Sequence, residues 1–311
     1  MINDIPKPEE LAFLKEKKHF LLKGFTPKRA SIKKKLLLET AGERYFLKYV
    51  RKEIAEQVAE ISLEISQNSS LQNYFPTLIA SEKGWLIYKF IEGEDFLKYV
   101  IRHLFSQEFE KTLPLFHSLG KCLSLFHQMF TKEFVNAKEE LEPYFTQINM
   151  NGSHNDLIDE LPLVKTYNDF TMRNVLLLDS KQILCLDLDA AFHRKFPKYM
   201  LPYHDIGFTV LNILSLSIIP VFLNNRIEMA VESFLKGYFE NNDKMTYSKY
   251  LLQLFLVFHY HGLFADRNLN KLYPGLKHTT FRNRIANAVA NNAFNFLPTT
   301  LTQSPQLLSE F

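Results

Sequence analysis

Glycine is scarce. The 311 residues hold only 10, and the closest two, Gly84 and Gly93, stand nine positions apart. Neither the G-x-G-x-x-G turn that seats a dinucleotide nor the G-x-x-x-x-G-K-[ST] loop that wraps phosphates can therefore be written anywhere in the chain. Cysteine is scarcer still: Cys122 and Cys185 lie far apart in apolar runs with no C-x-x-C context. That excludes a cysteine metal site and points to two buried thiols in a reducing compartment. The longest greasy run, Leu211 to Leu223, is broken by serines and Pro220 and is too short to span a bilayer. The opening MINDIPKPEE has no basic-then-apolar leader, so the expectation is a cytoplasmic protein with no membrane span. No G-x-S-x-G elbow marks a serine nucleophile.

What is present is apolar and aromatic. The chain is 46% hydrophobic and 23% charged, with 28 Phe and 14 Tyr, a composition that buries a core rather than staying disordered. The length allows one large domain or two lobes. A net charge of +3 conceals an asymmetry: residues 15–52 carry thirteen Lys and Arg against Glu16, Glu39 and Glu43, and the remainder is acidic. A solvated strand face accounts for the KKK at 33–35, and an attraction for phosphate is the sharper reading of the whole stretch. No nucleic-acid partner is expected, because the basic residues are not interleaved with aromatics in a recognisable module.

The pattern along the chain divides near Gly93. A short helix is predicted over 7–18, followed by strands at 19–23 (HFLLK), 31–39 (SIKKKLLLE) and 44–50 (RYFLKYV). In KEIAEQVAEISLEIS, Ile54, Val58, Ile61 and Ile65 recur at helical spacing, which predicts one amphipathic helix. TLIAS (77–81) and GWLIYKF (84–90) form a second hairpin. The expectation is thus an α+β chain: a β-rich domain of five antiparallel strands and one helix over 1–92, then a mainly helical domain over 93–311. In the second, apolar-periodic helices are predicted at 110–130, 204–219, 226–240, 246–262 and 278–296, ahead of a loose tail.

The exception in the second domain is VKTYNDFTMRNVLLLDSKQILCLDLD, residues 164–189. NVLLLD and ILCLDLD read as a hairpin over the turn Asp179-Ser180-Lys181, yet the segment carries Asp169, Arg173, Asn174, Asp187 and Asp189. Asp169 stands five positions before Asn174, so a tight loop can present both at one cleft, and the returning strand brings Asp187 back beside Asn174. Phosphoryl transfer asks for such a set: a carboxylate to orient the attacking hydroxyl, oxygen ligands for Mg²⁺, and a lysine on the nucleotide phosphates.

The order of these parts resembles the aminoglycoside phosphotransferase and choline kinase group of kinase-like enzymes, over roughly residues 19–215. Its H-G-D-x-x-x-x-N and I-D-x-[DE] segments are similar to Tyr167-Asn168-Asp169-Phe170-Thr171-Met172-Arg173-Asn174 and Leu186-Asp187-Leu188-Asp189. The resemblance implies a bilobal protein-kinase-like fold that uses ATP and Mg²⁺ to phosphorylate a hydroxyl of a small molecule. It implies Asp169 as the catalytic base and Asn174 with Asp187 as Mg²⁺ ligands. Asp189 is then an outer residue or an N-cap. Lys48 matches the lysine on the phosphates, with Glu60, or secondly Glu56, as its carboxylate partner. Phe90 and Ile91, in YKFIEGEDF, match the hinge that meets adenine. His127, ending LGKCLSLFH, is read as structural, and Asp205, in PYHDIGFTVLNIL, as capping or bracing the loop.

The sequence departs from the group where Tyr167 replaces the usual histidine, Asn168 replaces the usual glycine, and the loop Gly24–Ser31 holds one glycine. Phosphate contacts there fall to Ser31, with Lys28 or Arg29. His259 and His261 point to different sides of a helix and make no metal pair. The acceptor is open among aminoglycoside-, choline- and sugar-like compounds, chosen by the helices at 246–296 with His259, His261, Asp266 and Arg267. The rival from another class is a pseudokinase, the same body used as a nucleotide-sensing or interaction module; a basic membrane-surface or nucleic-acid-binding protein stands third.

Overall fold

Two stretches far apart in sequence build the first of two compact units. Met1–Gly93 is joined by Leu184–Arg194, and the second unit comprises Glu94–Ile183 and Lys195–Phe311. The computed structural model describes residues 35–40, 43–137, 139–141, 160–192, 198–218, 224–242, 245, 247–248, 251–256 and 258–259. The predicted helix at 7–18, the strand at 19–23, Ser31 with its loop, the helix at 278–296, His261, Asp266 and Arg267 lie outside the described residues.

In the first unit β1 (Lys35–Thr40), β2 (Glu43–Tyr49), β3 (Leu78–Glu82) and β4 (Trp85–Lys89) form an antiparallel sheet in the order β1-β2-β4-β3. Four of the five expected strands are therefore in the described sheet, and the fifth, expected at 19–23, lies outside the described residues. The β3–β4 turn places Lys83 at φ 51° and Gly84 at φ 86°, the two left-handed residues that a twisted hairpin turn demands. A side chain at Gly84 would sit 2.6 Å from the Val50 carbonyl oxygen. Helix α1 (Lys52–Gln67) buries Ile54, Ala55, Val58, Ile61 and Ile65. That stripe packs on β3 and β4 and on a 3-10 turn at Leu188–Phe192. Each large aliphatic side chain so buried contributes roughly 1.5–3 kcal/mol, which fixes the rotation of α1.

The second unit opens with β5 (Glu94–Asp95) and α2 (Phe96–Leu104), capped by the Asp95 carboxylate accepting from the Lys98 N–H at 3.0 Å. Helix α3 (Leu113–Met129), β6 (Thr131–Asn136), β7 (Glu160–Lys165) and β8 (Val175–Leu177) follow. β8 pairs with β5 and turns, through a Leu178–Gln182 backbone bond, into β9 (Ile183–Cys185), where the chain passes to the first unit. Then come β10 (Tyr199–Met200), α4 (Tyr203–Leu214) and α5 (Asn224–Phe239). No helix among the described residues is long and apolar enough to cross a membrane.

One correction concerns this unit. It holds a three-stranded sheet, β10-β7-β6, where the sequence pattern predicted helices and a single hairpin. β7 is a short continuous apolar run and β6 is exposed along nearly its whole length, so neither shows the two-residue alternation that betrays a strand. Helices α3 and α5 meet with their backbones in contact. A Cβ at Gly120 would lie 2.0 Å from the Phe234 carbonyl oxygen, and one at Gly237 would lie 2.0 Å from that of His117. This close crossing sets His127, in the last turn of α3, against Tyr238 of α5.

Candidate functional site

Two clusters carry the polar residues singled out above, one in each unit. In the first, β2 presents Lys48, whose ammonium lies 2.9 Å from Asp187 Oδ1 and 2.6 Å from Asp189 Oδ1. Asp187 follows β9 at φ 59°. This left-handed conformation is uncommon for a residue with a Cβ and is best tolerated by Asn and Asp. It turns the chain into Leu188–Phe192, closed by the Ala190 N–H on the Asp187 carbonyl at 3.0 Å. Burial alone would lower the Lys48 pKa, but the charges and hydrogen bonds of Asp189 and Asp187 outweigh it and hold the lysine above its ordinary value. Burial, with the same two carboxylates, pushes the Tyr88 phenol up.

The partner predicted for Lys48 is corrected here. Glu56 pairs with Lys52 at 3.8 Å in the open, and Glu60 is exposed with no ion-pair partner among the described residues. At the end of β4, the Phe90 N–H donates to the Arg44 carbonyl at 2.8 Å while the Arg44 guanidinium covers the Phe90 ring at 4.6 Å. Arg44 also pairs with Glu92. The Phe90 N–H is thus already used, whereas the backbone of Ile91 has no partner among the described residues.

In the second unit the Asn174 amide donates to the Asp169 carboxylate at 2.8 Å and to the Asp169 carbonyl at 3.0 Å. Asn174 closes a 3-10 turn, Met172–Asn174, rather than beginning the strand. Asn168 stands at φ 66°, the conformation that glycine adopts freely and asparagine tolerates. Its buried carboxamide makes no hydrogen bond among the described residues, and the position is marked by the backbone conformation of Asn168. Tyr167 is fully buried, edge-on to Phe126 and Phe170.

Helix α4 fixes this loop from one face. Asp205 Oδ2 accepts the Tyr167 N–H at 2.6 Å and Oδ1 the Asn168 N–H at 3.0 Å; Thr209 donates to the Phe170 carbonyl at 2.8 Å, and Asn212 Oδ1 accepts the Met172 N–H at 3.3 Å. Positions 205, 209 and 212 share one side of a helix. Thr209 and Asn212 were not singled out from the sequence, and that polar i, i+4, i+7 spacing within an apolar helix was the available signal.

Asp205 also faces His127 Nε2 at 3.1 Å and His204 Nδ1 at 3.4 Å, and His127 Nδ1 lies 2.8 Å from the Tyr238 hydroxyl. Burial would raise the Asp205 pKa, but the hydrogen bonds and charges of His127 and His204 overcome it and hold the carboxyl well below the ordinary carboxylate range. His259 donates from Nε2 to the His204 carbonyl at 2.7 Å. Burial, and the neighbouring His204, bring the His259 pKa down to about 3.

A pH dependence follows. Unfolded, His259 takes a proton as the pH falls through about 6.5, whereas folded it does not until about 3. Stability therefore drops with falling pH across that window, by up to about 1.4 kcal/mol per unit. Below about 4 the loss steepens, as Asp205 begins to surrender the stability that its ionised form provides. Thermal melts from pH 7 to 4 should show the decline, and His259→Gln, which keeps a donor without a titrating ring, should flatten its upper part.

Among the described residues no three His, Cys, Asp or Glu side chains group to hold a metal. Asp187 in the first unit and Asn174 in the second each carry a side-chain oxygen, that of Asn174 without a hydrogen bond among the described residues.

No family model matches the sequence, and no curated protein matches it. Solved structures do. A Ralstonia eutropha protein described as an aminoglycoside phosphotransferase superposes at TM-score 0.56, with 12% identity, over 95% of this chain and 99% of that one. The amicoumacin kinase hAmiN, in complex with AMP-PNP, Ca²⁺ and Ami, gives 0.53 at 14%, over 91% and 93%. A type I macrolide 2'-phosphotransferase gives 0.52 at 12%, over 90% and 97%. At these identities the likeness is one of fold: the chain has the protein-kinase-like fold of the aminoglycoside and macrolide phosphotransferases.

Proposed function

We propose that the protein is an ATP- and Mg²⁺-dependent phosphotransferase acting on a hydroxyl of a small molecule. The observation that carries the reading is the Asp169–Asn174 pair, hydrogen-bonded at 2.8 Å in a loop bonded to α4 at Asp205, Thr209 and Asn212. A base held this firmly meets the demand of phosphoryl transfer, which is catalysed chiefly by positioning and charge. In this reading Asp169 orients the acceptor hydroxyl and takes its proton. Lys48 lies on the nucleotide phosphates, Ile91 and the Phe90 carbonyl meet the adenine, and Ser31 contributes to the phosphate loop. Asn174 and Asp187 hold Mg²⁺, which when bound neutralises charge on the transferred group. The bound AMP-PNP and Ca²⁺ of the amicoumacin kinase are consistent with this use of the fold. Residues 1–92 with 184–194 then serve the nucleotide and the remainder the acceptor, for which a cationic hydroxyl compound suits the acidic C-terminal part.

The test is a thermal melt with ATP alone, Mg²⁺ alone and both. The expected result is a rise of about 5 °C or more with both together, at nucleotide a hundredfold above its Kd, followed by turnover in a screen of hydroxylated acceptors. Equal shifts with and without Mg²⁺ would remove Asn174 and Asp187 from the metal role. A shift with no acceptor turned over would favour a nucleotide-sensing module.

A further inference from the structure

We propose that Asp189, and not a glutamate of α1, is the residue that anchors Lys48, leaving Asp187 to be yielded to the metal; the nucleotide part of this rests on the function proposed above. Lys48 has two carboxylates within ion-pair distance, and they are not equivalent. Asp189 is the nearer, at 2.6 Å against 2.9 Å, and its side chain is 12% exposed against 28% for Asp187. A cation bound at Asp187 would compete with the lysine for the same oxygens and repel its charge. Asp189 can keep the lysine throughout.

The turn that carries Asp189 is rigid for that purpose, since Leu188, Ala191 and Phe192 are buried around it and it packs on α1. Glu56 and Glu60 are excluded by the same packing. Ile54, Val58, Ile61 and Ile65 fix the rotation of α1, and each glutamate stands two residues, about 200° of helical turn, beyond a member of that stripe. Bringing either carboxylate round to the buried side would expose the stripe. Asp189 is thus a positioning residue that acts through Lys48.

The experiment is a double-variant cycle on melting temperature, measured without nucleotide, using Lys48→Met, Asp189→Asn and the pair, beside the same cycle with Glu60→Gln. If Asp189 anchors Lys48, the Lys48/Asp189 pair loses several degrees less than the sum of its single losses, and the Lys48/Glu60 cycle is additive. Additivity for Asp189, or coupling as strong for Glu60, overturns the assignment. If Asp189→Asn is not recovered folded, Asp189→Ser takes its place. Kinetically, Asp189→Asn should raise KM for ATP about tenfold with a smaller change in kcat, because a misplaced lysine weakens phosphate binding first; a fall in kcat alone would contradict an anchoring role. Absence of any nucleotide effect on the unsubstituted protein would sink the phosphotransferase reading, while the nucleotide-free cycle still decides which residue holds Lys48.

Discussion

Asp169→Asn is expected to lower kcat by about a thousandfold while the melting temperature and the KM for ATP stay close to their original values. The size follows from the proposed role: a positioned general base is worth roughly 10²–10⁴ in rate. The selectivity follows from the geometry. Asparagine has the shape of aspartate, and its carbonyl oxygen can still accept the Asn174 amide that now lies 2.8 Å from Asp169 Oδ2. The backbone of residue 169 is bonded as well, its carbonyl accepting the Asn174 amide at 3.0 Å and the Thr171 N–H at 2.9 Å, and asparagine leaves those bonds in place. What is removed is the negative charge and the capacity to take a proton from the acceptor hydroxyl. Steady-state kinetics with any acceptor found by screening, beside a thermal melt, checks both halves. Full turnover by the variant would remove Asp169 from the chemistry, and a large fall in melting temperature would mean the loop needs the charge to fold.

The segments most legible in the sequence are those whose apolar residues repeat with one clear period. The isoleucine and valine stripe of α1 predicted the helix and its buried face. The hairpin read over 77–90, with its turn at Glu82-Lys83, is present, and the positive φ angles fall one position later, at Lys83 and Gly84. The departure at Asn168 has a physical reason, a left-handed backbone position where asparagine stands in for glycine. Other features left no periodic trace. β6 and β7 are short, one exposed and one continuously apolar, and a pairing separated by some thirty residues has no local signature. Leu184–Arg194 joins the first unit because it packs on α1, a fact about tertiary contact.

The partner of Lys48 illustrates the same limit from the other side. Asp187 and Asp189 reach it across 139 and 141 residues of sequence, whereas Glu60 and Glu56 were expected because both neighbour the apolar stripe of the helix that follows. The α1 stripe itself argued against them, since a helix that buries Ile54 and Val58 turns residues 56 and 60 outward.

Asp205→Ala is expected to be the most damaging single change to stability, at about 3–5 kcal/mol, the usual cost of removing one partner from a buried charged network. The carboxylate has about four lone-pair sites, and four donors address it: the N–H groups of Tyr167 and Asn168 and the rings of His127 and His204. Alanine leaves those groups facing a void in a region where Asp205, His127 and Tyr167 are at most 1% exposed, and buried donors without acceptors cost about 1–3 kcal/mol each before relaxation. Asp205→Asn keeps the volume and one acceptor oxygen, so it should cost less than alanine; its loss comes from the amide NH₂, which meets one backbone N–H and one histidine ring where a carboxylate oxygen stood. Chemical denaturation of both variants checks the order, and equal losses would show that the charge, not the filled space, is what the site requires. The asparagine change also reaches the chemistry, because whichever N–H group it releases, that of Tyr167 or of Asn168, belongs to one of the two residues immediately before Asp169. A displacement of about 1 Å in a positioned base is enough to cost a hundredfold in rate, so Asp205→Asn should lower kcat even under conditions where it remains fully folded. His259→Gln, attached to the same network through the His204 carbonyl and the His204 ring and not through Asp205, should not.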